Sequence, residues 1–194
     1  QGVRHACLAP VLDVVLGDER RVVHVEAQAD GPLLDAAMLS LTSNLLVAAD
    51  VAEALAALHA AGQVHGGLAA DAVVLDATGR PMVMGAGLAG ARALADDEGL
   101  PTASDDMRAL GAILYALITG REAAVPPAPP LSHVPDLAPA LNGLMLALLS
   151  DDSRRPPPPA AAVAERLRAL VGEDLPAIVR PAPPRVSITH LCRG

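Results

Sequence analysis

Two short runs rich in β-branched residues, 10–16 (PVLDVVL) and 21–26 (RVVHVE), flank Gly17-Asp18-Glu19. That pattern predicts two strands joined as a hairpin. Gly31 to Ser40 reads as a short helix. The apolar period then changes: Leu45, Ala49, Ala52, Leu55 and His59 recur at helical spacing. Leu46, Leu58 and the alanines between them make most of the girth apolar, which predicts a long helix from about Leu45 to Ala61 at the centre of its domain. Thr42 or Ser43 is placed to cap its start and Gly62 to end it.

Two shorter runs, Ala72–Leu75 and Pro81–Met84, are separated by Asp76-Ala77-Thr78-Gly79, a second hairpin. Ser104 or Asp105 is placed to cap a helix reaching Thr119, with Met107, Leu110, Leu114 and Leu117 on one stripe and Gly120 at its end. Residues 125–135 form a proline-rich loop. Asp136 is expected to start a helix over Leu137 to Leu149, and prolines 156–159 lead into a last helix, Ala160 to Val171. The Pro-spaced remainder reads as a flexible tail. The division expected is 1–32, a hairpin and connecting segment; 33–171, a mostly helical body; and 172–194, the tail. No internal repeat is visible.

Composition narrows the function classes. The chain has 194 residues, 52% of them apolar, enough for one core. Its only aromatic residue of the Phe, Trp and Tyr set is Tyr115, so Ala, Leu and Val must fill the interior. All 14 basic residues are arginine and the formal net charge is −8. No basic face is available for nucleic acid, and acidic repulsion disfavours an anionic membrane surface. No run of 18 apolar residues occurs, and 137–149 is too short to span a bilayer, so direct membrane insertion is not expected. No signal peptide opens the chain, and a start at Gln1 fits a piece of a longer protein. Cys7 and Cys192 lie near opposite ends without metal-type spacing, which fits a reducing cytoplasm. His59 and His65 have no third ligand nearby, so no metal site is expected.

The strings AADVAEALAALHAAGQVHGGLAADAVVLDATGRPMVMGAGLAG (48–90), DDMRALGAILYALITGR (105–121) and LLSDDSRRP (148–156) occur in an order and spacing that resemble bacterial Ser/Thr protein kinases. The likeness covers roughly residues 5–171, from the strands before the hinge onward. It implies an α+β, mostly helical fold: a protein kinase-like C-terminal lobe with two short β-hairpins and an incomplete small lobe. It also implies a hinge at Glu26, Ala27 and Gln28, a structural histidine at His65, and a glycine at Gly87. Asp106 is implied to tie down the catalytic loop, and Arg155 to stand at the corner before the last helix.

The same resemblance marks what is missing. Such kinases place the phosphates with a lysine, hold magnesium with Asp and Asn, and use an aspartate for the acceptor's proton. Here His65-Gly66-Gly67 stands for His-Arg-Asp, so Gly67 replaces the aspartate. Ala69 replaces the loop lysine, Ala72 the metal-binding asparagine, and Gly85-Ala86-Gly87 the Asp-Phe-Gly motif. Asn44 and Asn142, the only asparagines, fall in predicted helices elsewhere. Asp71 is the nearest acid and reads as solvated. No Ala-Pro-Glu follows, and only residues 88–105 separate Gly87 from Asp106, so Arg155 is not expected to keep its usual glutamate. ATP and magnesium binding are therefore not expected.

The function implied is a catalytically inactive pseudokinase domain, a regulatory or scaffolding protein-binding module in bacterial signalling. It would be cytoplasmic, or the cytosolic part of a larger membrane-linked protein. A phosphothreonine-reading domain is the partner suggested, with Thr102 as its candidate phosphosite. The alternative is a truncated or decayed kinase homologue, with or without residual nucleotide binding.

Overall fold

The structure, a computed structural model, describes residues 3–16, 22–27, 30–34, 39–88, 99–152 and 154–172. The turn 17–19, Gln28, residues 35–38 of the expected short helix, and the tail 173–194 lie outside them. Among the described residues there are four strands and four α-helices. β1 (Val11–Leu16) pairs antiparallel with β2 (Val22–Glu26), with a register shift between Val11 and Asp13. α1 (Leu41–Ala60) follows, then a single 3-10 turn at Ala70–Ala72. β3 (Val73–Leu75) and β4 (Pro81–Val83) make the second hairpin. α2 (Ala103–Thr119), α3 (Pro139–Leu148) and α4 (Ala160–Val171) complete the order. The fold is α+β and mostly helical, as the apolar periodicity predicts.

α1 is central because it is apolar on nearly every side. Leu45, Ala49, Ala52 and Leu55 have no exposed surface. α2 crosses it and α4 runs along it, while α3 packs against α2. α1 is long and apolar enough to cross a membrane by length and composition, yet most of those side chains are buried within the domain. On the outer side Arg168 of α4 bonds Asp50 at 2.7 Å and also Glu53, both on α1. These partly exposed pairs add at most about 1 kcal/mol each; apolar burial holds the helices together.

Several boundaries differ from the sequence expectation, for local reasons. α1 begins one turn early because Ser40, not Thr42 or Ser43, is the cap: its hydroxyl accepts from the Ser43 N–H at 3.1 Å. α2 is capped by Thr102, not Ser104 or Asp105. The Thr102 hydroxyl accepts from the Asp105 N–H at 3.3 Å, and the Asp105 carboxylate accepts from the Thr102 N–H at 2.8 Å, a reciprocal box. α3 starts at Pro139 rather than Leu137, since proline lacks the N–H that a helix interior requires and is suited to the first turn. Of the expected short helix, Gly31 to Leu33 run extended, Leu34 is in a 3-10 turn, and 35–38 lie outside the described residues. Leu33 forms a β-bridge with Val74, and the Leu75 N–H donates to Pro32 O at 2.9 Å. Gly31 lies so close that a Cβ there would sit 1.7 Å from Leu75 O, so the chain must run extended past β3 without a side chain at that point.

The first hairpin reaches the helical body through this small sheet. Leu8 bridges Val83 in parallel sense, with Ala9 N–H donating to Val83 O at 2.9 Å and Val83 N–H to Cys7 O at 2.8 Å. Cys7 is a buried free thiol whose pKa is raised, first by burial and then by the charge of Asp50; Cys192 lies outside the described residues.

Two helical glycines make opposite demands. A Cβ on Gly111 in α2 would meet Leu148 Cβ at 2.7 Å and its backbone carbon at 3.2 Å, whereas one on Gly143 in α3 would meet nothing within 4 Å. Alanine gains about 1 kcal/mol over glycine in a helix, but overpacking costs about 1–3 kcal/mol. Gly143→Ala is expected to raise the urea midpoint and Gly111→Ala to lower it. A rise in both would show that α2 and α3 can separate freely.

Candidate functional site

Two loops meet below the first hairpin. One leaves α1 and enters β3, carrying His65, Gly66, Gly67, Ala69 and Ala72; the other leaves β4 and carries Gly85, Ala86 and Gly87. Asp106, in the first turn of α2, is 1% exposed and gathers three donors. Its Oδ2 accepts from the His65 N–H at 2.8 Å and from His59 Nε2 at 2.9 Å; its Oδ1 accepts from the Gly66 N–H at 2.8 Å. Gly66 has a φ of 80°, a left-handed turn that presents successive amides to one carboxylate. A carboxylate with several donors is a strong buried anchor.

His65 carries the link onward. Its Nε2 donates to Met84 O at 2.8 Å, so Nδ1 is the acceptor for the Gly67 N–H at 3.3 Å. Its own carbonyl accepts from the Gly87 N–H at 3.1 Å. The neutral ring is thus satisfied at both nitrogens, and a proton on Nδ1 would face an N–H. Burial pushes the His65 pKa down; the Met84 carbonyl and the charges of Asp106 and Glu26 oppose it in part.

Glu26, the last residue of β2, reaches across to the second loop. Its Oε2 accepts from the Gly85 N–H at 2.7 Å. The other hinge candidates do not join the site through their side chains: the Ala27 N–H donates to Pro10 O at 3.0 Å, and Gln28 lies outside the described residues.

Gly67 and Ala69 are exposed, Ala72 and Gly85 half-buried. None has a side-chain oxygen. Asp71 is exposed on the 70–72 turn, and Asn44 and Asn142 are in α1 and α3. Magnesium with a nucleotide needs several oxygens in near-octahedral array. Among the described residues no three His, Cys, Asp or Glu side chains are placed to share an ion, and the Glu26 carboxylate is already engaged by a backbone amide. Among the described residues, the donor set at these loops does not fit a magnesium nucleotide.

Thr102 and Arg155 stand apart from this cluster. The Thr102 hydroxyl also donates to Asp105 Oδ2 at 2.7 Å, and that bond, chiefly, holds the Asp105 carboxyl below its ordinary range. Arg155 is exposed, its N–H donating to Asp152 O at 2.9 Å, with no ion pair among the described residues.

Sequence reasoning missed two participants. His59 reads as one more residue on the α1 stripe, although its place in the last turn, close before His65, is a signal that it could face the same anchor. The resemblance implies Glu26 only as a hinge residue, and nothing in the sequence signals that its side chain turns toward Gly85.

The kinase domain of PknI from Mycobacterium tuberculosis, solved as a double mutant, is similar in structure: TM-score 0.71, 21% identity, covering 87% of this chain and 73% of that one. No protein-family model and no curated protein sequence matches the chain. The chain therefore has a bacterial Ser/Thr protein kinase-like fold with an incomplete small lobe, and at that identity the likeness speaks for the fold alone.

His65 gives a pH dependence. Its folded pKa is depressed below the ordinary histidine value of about 6.5. The stability it contributes is fully present above that value and is lost as pH falls through the folded pKa, because the unfolded chain takes up a proton the folded ring resists. The melting temperature is expected to fall from pH 7.5 to pH 5.5, and to fall less in His65→Gln, whose amide can donate to Met84 O without titrating. An equal fall in both proteins would show that His65 is not the sensitive group.

Proposed function

We propose that the protein is a catalytically silent, kinase-like module that acts by binding a protein partner in a regulatory or scaffolding role in bacterial signalling. One contrast carries this reading. The hydrogen bonds that shape the two loops run unbroken from Asp106 through His65 to Met84 and Gly87, while the positions that would do phosphoryl transfer are Gly67, Ala69, Ala72 and Gly85. A scaffold kept without reactive groups suits recognition better than turnover.

The partner is proposed to be a protein because 14 arginines against 22 acidic residues, net −8, leave no basic tract for nucleic acid. The setting proposed is the cytoplasm, or the cytosolic part of a larger membrane-linked protein. A phosphothreonine-reading domain is one partner class, with Thr102 as acceptor. Phosphorylation there would remove the hydroxyl donor and set a charge of about −2 beside Asp105. The start of α2 would lose its reciprocal cap and display the phosphate on an exposed residue.

A second reading, a truncated or decayed kinase homologue, draws on a separate observation. Leu12 is 65% exposed, and Val11 and Val25 are also open, on a two-stranded sheet of the kind that further strands would cover.

ATP separates these readings from an active enzyme. A ligand at a hundred times its Kd adds about 2.7 kcal/mol to folding stability, a shift of several degrees for a chain of this size. Millimolar ATP, with or without magnesium, is expected to leave the melting temperature unchanged, and labelled ATP to leave every added protein unlabelled. A clear thermal shift or transferred label would overturn the silent reading.

A further inference from the structure

The loop after β4 is held by an unusual acceptor. In the run from Val83 to Leu88, most amides are satisfied by main-chain oxygens: Val83 N–H by Cys7 O, Met84 N–H by Ala72 O, Gly87 N–H by His65 O, and Leu88 N–H by Gly85 O. Gly85 differs. Its N–H donates to the Glu26 carboxylate, 59 residues earlier in the chain at the end of β2. Gly85 has a φ of 77°, so the peptide is turned in a sense that side-chain-bearing residues rarely adopt. A half-buried amide needs an acceptor, and this position carries no side chain of its own to supply one.

The chain thus delivers a carboxylate from the hinge strand to the peptide at which the kinase-like pattern has lost one. We propose that Glu26 is an internal latch: its carboxylate fastens the β1–β2 hairpin to the 84–88 loop, so the two are held in one relative position by the protein itself, without a nucleotide. This rests on the reading of the protein as a binding module, and it explains how such a module presents a fixed surface when no ligand braces these two segments. Other links between the hairpin and the body, at Ala9 with Val83 and Leu33 with Val74, lie in the main chain of the small sheet and do not reach the loop beyond Met84. The Glu26 carboxylate does reach it. It also lies near enough to His65 to act on the ring's charge, so the latch closes onto the same network that Asp106 anchors.

A hydrogen bond to a charged acceptor contributes enough that its loss changes a local opening equilibrium by about tenfold or more. The test is amide exchange, followed by NMR on the full chain, in the parent protein, Glu26→Gln and Glu26→Ala. Glu26→Ala is expected to speed exchange at Gly85 and its neighbours in 84–88, and in 22–27, by about tenfold or more, with amides in α1, α2 and α4 unchanged. Glu26→Gln keeps an acceptor oxygen and is expected to fall between. Unchanged exchange at Gly85 in Glu26→Ala would overturn the latch, and so would an equal acceleration throughout the helices, which would mark Glu26 as a general stabiliser. Phosphate transfer by the parent protein would sink the silent reading without touching this result, so the two failures are distinguishable.

Discussion

A single carboxylate, that of Asp106, decides the shape of the two loops that leave α1 and β4. It is buried at the start of α2 and accepts from His65 N–H, Gly66 N–H and His59 Nε2. A buried charge without partners would be costly. With three donors it becomes an anchor that fixes the end of α1, the loop behind it and the first turn of α2 relative to one another. His65 then extends that order to the loop after β4 through Met84 O and the Gly87 N–H. Helix packing supplies the stability of the domain, but the position of these loops depends on this polar core.

Separating the loops' framework from their chemistry is what gives the functional reading its force. The backbone amides of 65–67, 84, 85, 87 and 88 donate to groups of the chain itself. Gly67, Ala69, Ala72 and Gly85 lie on these same two loops, and none of the four has a side-chain oxygen. The Glu26 carboxylate bonds the Gly85 amide, so the negative charge near this loop comes from a strand and serves the main chain.

Much of the architecture was legible because apolar spacing is a strong signal. Leu45, Ala49, Ala52 and Leu55 mark a helix with no polar side, and the structure buries it at the centre. Met107, Leu110, Leu114 and Leu117 likewise mark the inner stripe of α2. The two hairpins follow from β-branched runs interrupted by turn residues. Boundaries were less legible, since several neighbouring hydroxyls and acids can each serve as a cap: Ser40 competes with Thr42 and Ser43, and Thr102 with Ser104. Only the folded geometry chooses between them. Gly31 to Leu33 differ from the helical expectation for another reason: pairing of Leu33 with Val74 overrides any local preference for helix. Within the site, Gly67, Ala72 and Gly85 are singled out through the family resemblance, and they lie on the two loops described above. The roles of His59 and Glu26 could not be read from the sequence, because each depends on a partner 47 or 59 residues away in sequence.

Equilibrium urea unfolding of Asp106→Ala, with amide exchange followed at His65 and Gly66, tests the dependence on this anchor most directly. Removing one partner from a buried charged network costs about 3–5 kcal/mol, and the account predicts a loss of that order together with lost protection at both amides. A loss below about 1 kcal/mol, within the range of an ordinary surface substitution, with protection at His65 and Gly66 intact, would contradict it.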